Sequence, residues 1–372
     1  MVNINLKESK PHYQILDGLR GVAAIMVVVF HALEIYSTSH HDMWINHGYL
    51  AVDFFFMLSG FVIAYAYDDR WGKMSLKDFF KRRLIRLQPL VVVGSILGAA
   101  FFYLQYSEGM GWGVIAETPV WKMLLVMLIG CTIIPVGISQ DIRGWSEMHP
   151  LNGPCWSLFF EYIANICYAL FLRKASQRVL TALVVLAGAW SLYFVVNSPQ
   201  GDFIGGWSVN AEQLTIGFTR LAFPFLAGML LARIGKLKQV KHAFLFTSLL
   251  LVALFCVPRL GGHDALWVNG LYECFCLFLM FPLIIWIGAG GRVEGNIPNK
   301  VCKFFGDISY PIYITHYPIM YIQMAIIKNN QLNFANSWWI SLLFVLAAIF
   351  VGYAALKLID EPVRAWLKKR FL

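Results

Sequence analysis

Eleven apolar stretches, each near the length of a membrane span, constrain this chain more than any other feature. They fall at 16–37, 48–67, 88–106, 119–138, 154–172, 178–197, 212–234, 242–258, 266–288, 307–327 and 335–359. A bilayer's hydrocarbon core is about 30 Å thick and is crossed by about 20 apolar residues as a helix. Most of the runs are too long for strands and lack period-two alternation, so they predict helices rather than a barrel. With 59% hydrophobic and only 14% charged residues in 372, a set of soluble domains and a disordered chain are both excluded. The first run follows Lys7, Lys10 and Arg20. No small-residue cleavage site comes after it, so it is read as a retained span. The expected fold class is all-α: a polytopic transmembrane helical bundle forming one membrane-embedded domain over 1–372, with its core at about 16–361.

Charge sets the expected topology. Of 30 basic residues, 25 lie in 1–20, 68–87, 173–178, 233–241, 289–306 and 357–372, while 38–47 and 198–211 hold none. The positive-inside rule then places both termini in the cytoplasm. Eleven crossings would separate the termini, and the conflict is local. Residues 68–87 read as inside and 139–153 as outside, yet two apolar runs lie between them. One of 88–106 and 119–138 is therefore expected to be re-entrant or interfacial, leaving about ten crossings.

The seven cysteines form no C-x-x-C pair and read as small buried hydrophobes, with neither a disulfide framework nor a metal site. Gly94 and Gly98 make one helix-packing G-x-x-x-G. Trp44, Trp112, Trp145 and Trp207 lie in outer segments, where Trp marks the membrane interface and also suits stacking on sugar rings.

Ionisable residues inside spans are costly and hence functional candidates. They are His31, Glu34, Asp53, Glu161, Arg220, Glu273, Asp307 and His316; the competing reading for each is a satisfied structural pair. His31 lies eleven residues beyond Arg20, roughly 16 Å along a helix and so near mid-membrane. Glu34, three residues on, shares its face, and an imidazole beside a carboxylate is an oriented general base. In KRRLIR at 81–86, Arg83 and Arg86 share a helix face. Such a cluster fits lipid headgroups and topology enforcement, or the phosphates of a cosubstrate. Asp53 opens an apolar helix, and Glu161 lies two turns beyond Pro154.

Together these features resemble the acyltransferase-3 family of integral membrane acyltransferases. The family's Arg, ten residues, then His is met by Arg20 and His31. Its G-V-D-x-F-F-x-L-S-G-F block is similar to Ala51–Phe61, with Ala51 where Gly is common, and its R-x-x-R is met by Arg83 and Arg86. W-S-L-x-x-E is met by Trp156, Ser157, Leu158 and Glu161. R-x-x-x-F-x-x-G-M resembles Arg220 to Met229, and S-Y-x-x-Y-x-x-H is met by Ser309, Tyr310, Tyr313 and His316. The six blocks run in order from about Leu16 to Glu361.

The resemblance implies a multi-pass enzyme of the inner (cytoplasmic) membrane, an O-acyltransferase and most often an O-acetyltransferase. It would move an acyl group from cytoplasmic acyl-CoA to a hydroxyl of a cell-surface glycan, a lipid-linked sugar or a small molecule. His31, Glu161 and Asp53 are the expected catalytic residues, with His31 as base or as acyl-carrying nucleophile. Arg20, Arg82, Arg83 and Arg86 would hold the donor, acetyl-CoA serving as cosubstrate with no permanently bound cofactor and no metal. Trp156, Tyr310, Tyr313, His316 and Arg220 would face the substrate, and the first three are candidate oxyanion donors. Other partners are membrane lipids and, since many relatives carry a periplasmic domain that is not seen here, a separate periplasmic protein; nucleic acid is not expected. The rival class is a proton-coupled secondary transporter, suited by midplane His and carboxylates but lacking a detectable inverted repeat.

Overall fold

The computed structural model describes residues 12–39, 41–235, 237–293 and 295–372; Lys7, Lys10 and Lys236 lie outside them. All regular structure among the described residues is helical. The helices are α1 (Gln14–Glu34), α2 (Ala51–Tyr67), α3 (Leu76–Phe101), the short α4 (Val114–Glu117), α5 (Val120–Gly130), α6 (Cys155–Leu170), α7 (Gln177–Asn197), α8 (Ala211–Ile234), α9 (Ala243–Phe255), α10 (Trp267–Phe275), α11 (Phe281–Gly290), α12 (Asn296–Asn329), α13 (Phe334–Ala355) and α14 (Glu361–Phe371). Each predicted apolar run falls on one of them or on a joined pair.

Local chemistry explains the ends and joins. Ser75 and Asp78 form a reciprocal capping box that starts α3, satisfying two otherwise orphaned N–H groups. A π-turn at Cys276–Met280 joins α10 to α11 and another at Leu356–Asp360 joins α13 to α14. Each stands just before a proline, Pro282 or Pro362. The ring lacks a donor and crowds the carbonyl four residues back, so the turn widens instead of breaking.

Seven segments among the described residues are long and apolar enough to cross a membrane: α1, α2 with its preceding turn, α3 to Gln105, α7, α8, α10–α11 and α13–α14. α12 has 34 residues, about 51 Å of helix, and is the buried axis packed by α1, α3 and α13. Its apolar length is broken by buried Ser309, Thr315, His316 and Gln323. Of the two runs between 87 and 139, 88–106 belongs to the long α3. Run 119–138 yields only the eleven-residue α5, about 16 Å and too short to span. Leu186 on α7, Phe246 on α9 and Phe350 on α13 point outward, as a lipid-facing surface requires.

α2 and α8 cross in backbone contact. A Cβ on Gly60 would stand 2.0 Å from the Phe225 carbonyl oxygen, and one on Gly228 would stand 2.0 Å from that of Met57. Glycine at both contact points is what lets the two backbones touch. Gly94 and Gly98 serve α3 likewise, against Ile314 and Leu151.

Candidate active site

Three cavities succeed one another along α1. The first, about 820 Å³, is lined by Arg20, Arg70, Arg86, Lys303, Arg364 and Lys368, with acidic partners among them; it is the basic chamber. The second, about 100 Å³, shares Asp17, Arg20, Arg86 and Tyr310 with the first and adds Arg83, Ser157, Glu161 and Tyr313. The third, about 440 Å³, is the far chamber, lined by His31, Glu34, Glu147, Trp156, Arg220 and Tyr317 among others. Val52 and Tyr313 line both the middle cavity and the far chamber, so they form the partition. The Tyr313 hydroxyl lies 2.5 Å from Ser157 Oγ, and Phe55 packs edge-on at 5.4 Å.

His31 stands in the far chamber with Nδ1 2.8 Å from Glu34 Oε1. Nδ1–H donates to the carboxylate, which can only accept, and this leaves Nε2 as the basic nitrogen. Tyr317 packs edge-on at 4.6 Å, and the ring of His316 stacks at 5.5 Å. His316 is fully buried and lines none of the three cavities. Its Nδ1 bonds to the carbonyls of Ile312 and Tyr313, so that nitrogen carries the proton. Its Nε2 is buried without a partner.

The other charges expected at the site find partners away from His31. Glu161, expected to be catalytic beside His31, instead accepts from Arg83 Nη2 at 2.7 Å and Ser59 Oγ at 3.0 Å and lines the middle cavity rather than the far chamber. Asp53 is fully buried and pairs with Arg220 through both oxygens, at 3.2 and 2.7 Å. Arg220 also donates to the carbonyls of Tyr49 and Gly205 and lies 5.0 Å from the Trp156 ring centre. Neither carboxylate orients His31, because α2 is pinned to α8 and α6 faces α3. Glu273 accepts from Tyr49, the Phe203 N–H and Asn269, a satisfied structural network. Asp307 pairs with Lys303 at 2.5 Å.

The arginines divide likewise. Arg20 donates to Ser309 at 2.8 Å and pairs with Asp17 at 3.0 Å. Arg86 lines both the basic chamber and the middle cavity, Arg83 only the latter, and Arg82 is exposed and lines none of the three. Tyr310 donates to the Leu87 carbonyl at 2.7 Å and belongs to the inner cavities. Trp156 and Tyr313 are therefore the two expected oxyanion donors that reach the far chamber.

Sequence reasoning missed Glu147 and Tyr317. Glu147 comes from the connection before α6 but is buried; Tyr321 donates to it at 2.6 Å, and Arg143 Nε stands 3.6 Å away. Burial pushes its carboxyl up from the ordinary 4.5 to about 7, against the pull of Arg143. A Cβ on Gly153 would lie 2.7 Å from Glu147 Oε1, so that glycine makes room for the carboxylate. The one available signal was an acid and a base four residues apart in a segment otherwise read as loop. Trp145 and Trp207 line the far chamber, whereas Trp44 is 59% exposed and Trp112 is buried.

Fold and site together define a polytopic membrane protein that holds a His–carboxylate pair in one cavity and a cluster of cations in another. The chain matches the family model described as an acyltransferase domain over residues 13–357, and it belongs to that family. It is 32% identical over 196 residues to protein 2 in the picA locus of Rhizobium radiobacter, covering 50% of this chain and 95% of the relative. It is 23% identical over 381 residues to the peptidoglycan O-acetyltransferase OatA of Listeria monocytogenes, covering 96% of this chain and 56% of that protein. With the O-acetyltransferase OatA of Staphylococcus aureus it shares 23% over 363 residues, 94% of this chain and 57% of the relative. The chain thus spans a little over half the length of the two O-acetyltransferases. No solved structure matches it.

Proposed function

We propose that the protein is a membrane O-acetyltransferase that takes its acyl group from cytoplasmic acyl-CoA and passes it to a hydroxyl in the far chamber. The observation that carries this reading is the row of cavities from six cations to the His31–Glu34 pair. With the basic chamber on the cytoplasmic side of an inner membrane, the positive-inside rule is obeyed and both termini are cytoplasmic. The acyl end of the donor passes Arg20 and Arg86 and meets the acceptor at the Tyr313 partition. His31 Nε2 takes the proton of the acceptor hydroxyl as its oxygen attacks the thioester carbonyl. Glu34 steadies the imidazolium. Tyr313 and Trp156 are the donors available to the tetrahedral oxyanion. The C–S bond then breaks, and the thiolate leaves with the proton from His31. The acceptor is a hydroxyl of a glycan or a lipid-linked sugar, and the Trp145, Trp156 and Trp207 side chains suit a sugar ring.

The test is acyl transfer by purified protein in nanodiscs supplied with radiolabelled acetyl-CoA and extracted envelope glycans. Label entering a glycan fraction, and lost with His31→Ala, is expected. Solute uptake driven by a proton gradient, with no acetyl-CoA bound or consumed, would overturn the reading.

A further inference from the structure

The basic chamber contains more positive charge than its own carboxylates use. Asp17 pairs with Arg20, Asp307 with Lys303, Asp360 with Arg364, and Glu361 with Lys357. Arg70, Arg86 and Lys368 line the same chamber and form no ion pair among the described residues. Their depths differ. Arg20 and Arg86 also line the middle cavity and so stand at the throat, whereas Arg70, Arg364 and Lys368 line the basic chamber only. Arg364 and Lys368 are one helical turn apart on α14, on the same face. The π-turn keeps α14 packed against α3. α14 also lies beyond the span matched by the family model, which stops at residue 357.

We propose that Arg364 and Lys368, with Arg70 across the chamber, form a phosphomonoester subsite at the rim. It receives the 3′-phosphate on the nucleotide end of the acyl-CoA donor, while Arg20 and Arg86 at the throat face the diphosphate. This rests on the donor reading proposed for the site. Its logic is one of order along the molecule. The acyl carbon must reach the Tyr313 partition, so the diphosphate trails it and the nucleotide lies farthest out. Among the described residues, the cations that far out are those confined to the basic chamber. Arg forks and a Lys ammonium suit a phosphate oxygen cluster. The R-x-x-R arginines do not supply this subsite, since Arg83 is held by Glu161 deeper in and Arg86 stands at the throat, and the neighbouring Arg82 lines none of the three cavities.

The experiment is calorimetric titration of the full chain in phosphatidylcholine nanodiscs with coenzyme A and with 3′-dephospho-coenzyme A. Wild type should prefer coenzyme A. The double variant Arg364→Ala/Lys368→Ala should lose roughly 10- to 100-fold in coenzyme A affinity, as expected for charged hydrogen bonds. It should keep wild-type affinity for the dephospho compound, which also reports that it is folded. Lys369→Ala/Arg370→Ala, on the same helix outside the chamber lining, should match wild type. A double variant that retains the preference, or a wild type that has none, overturns the subsite. Preference retained alongside lost thermal stabilisation by phosphatidylglycerol assigns these cations to lipid headgroups and overturns it as well. Wild type binding neither compound removes the donor reading itself.

Discussion

Replacing Asp53 by Asn should be among the most damaging isosteric changes in this protein. Asp53 is fully buried and Arg220 is 2% exposed, and this carboxylate is the guanidinium's ion-pair partner. Removing one member of a buried pair leaves an uncompensated charge, at a cost of about 3–5 kcal/mol. The double variant Asp53→Leu/Arg220→Met should be less destabilised than Asp53→Asn, because no charge is stranded. It does not return to wild type. The Tyr49 and Gly205 carbonyls lose the donor that Arg220 supplied, and an orphaned buried acceptor costs about 1–3 kcal/mol. Thermal unfolding in detergent, followed by a thiol-reactive dye, reads both, since Cys155, Cys274, Cys276 and Cys302 are free and buried. If Asp53→Asn melts with wild type, or if the double variant melts below Asp53→Asn, the pair does not hold α2 to α8 as argued.

His31→Ala should lower acyl transfer about 10²- to 10⁴-fold with insertion and melting temperature unchanged, because its side chain makes one hydrogen bond and is partly exposed; near-wild-type product would remove it as the base. The two arginines of R-x-x-R should separate: Arg86→Ala weakens acyl-CoA binding, whereas Arg83→Ala chiefly lowers the melting temperature by stranding Glu161, and the reverse pattern would contradict the cavity assignment. Glu147→Gln should flatten the dependence of melting temperature on pH. With its folded pKa raised from 4.5 to about 7, the wild-type carboxyl contributes fully below pH 4.5 and loses that contribution as pH rises through 7. The span corresponds to about 3 kcal/mol, and parallel melting curves for variant and wild type from pH 4.5 to 8 would refute it.

What could be read in advance was the part governed by local rules. Run length and the lack of alternation gave every helix except the short α4 and the terminal α14, and the cost of burying charge singled out Asp53, Glu161 and Arg220 as residues needing partners. The identity of those partners was hidden because it depends on which helices cross. Glu161 meets Arg83 from 78 residues away and Arg20 meets Ser309 from 289, and no spacing rule reaches that far. Glu147 was hidden for a different reason. Turn residues such as Pro150 and Gly153 mark its segment as solvated loop, yet the segment folds inward and caps the far chamber.

The six sequence blocks shared with the family complete one another in space. Arg20 of the first donates to Ser309 of the last, and His31 of the first stacks on His316 of the last. Asp53 of the second pairs with Arg220 of the fifth, and Arg83 of the third with Glu161 of the fourth. Ser157 of the fourth meets Tyr313 of the last. A polar group in a bundle core is tolerable only when satisfied, so each block is stable because another is present. That interdependence assigns roles. A residue spent on pairing, such as Asp53, positions the walls, and the groups left to act on substrates are those with an atom still facing a cavity. In the transfer proposed above, the His31–Glu34 pair, which lines the far chamber and has no hydrogen-bond partner on another helix among the described residues, is the reacting centre. On the same proposal Arg86, which lines the basic chamber and the middle cavity, would face the donor, and Tyr313, on the partition, and Trp156, in the far chamber, would stand where donor and acceptor meet.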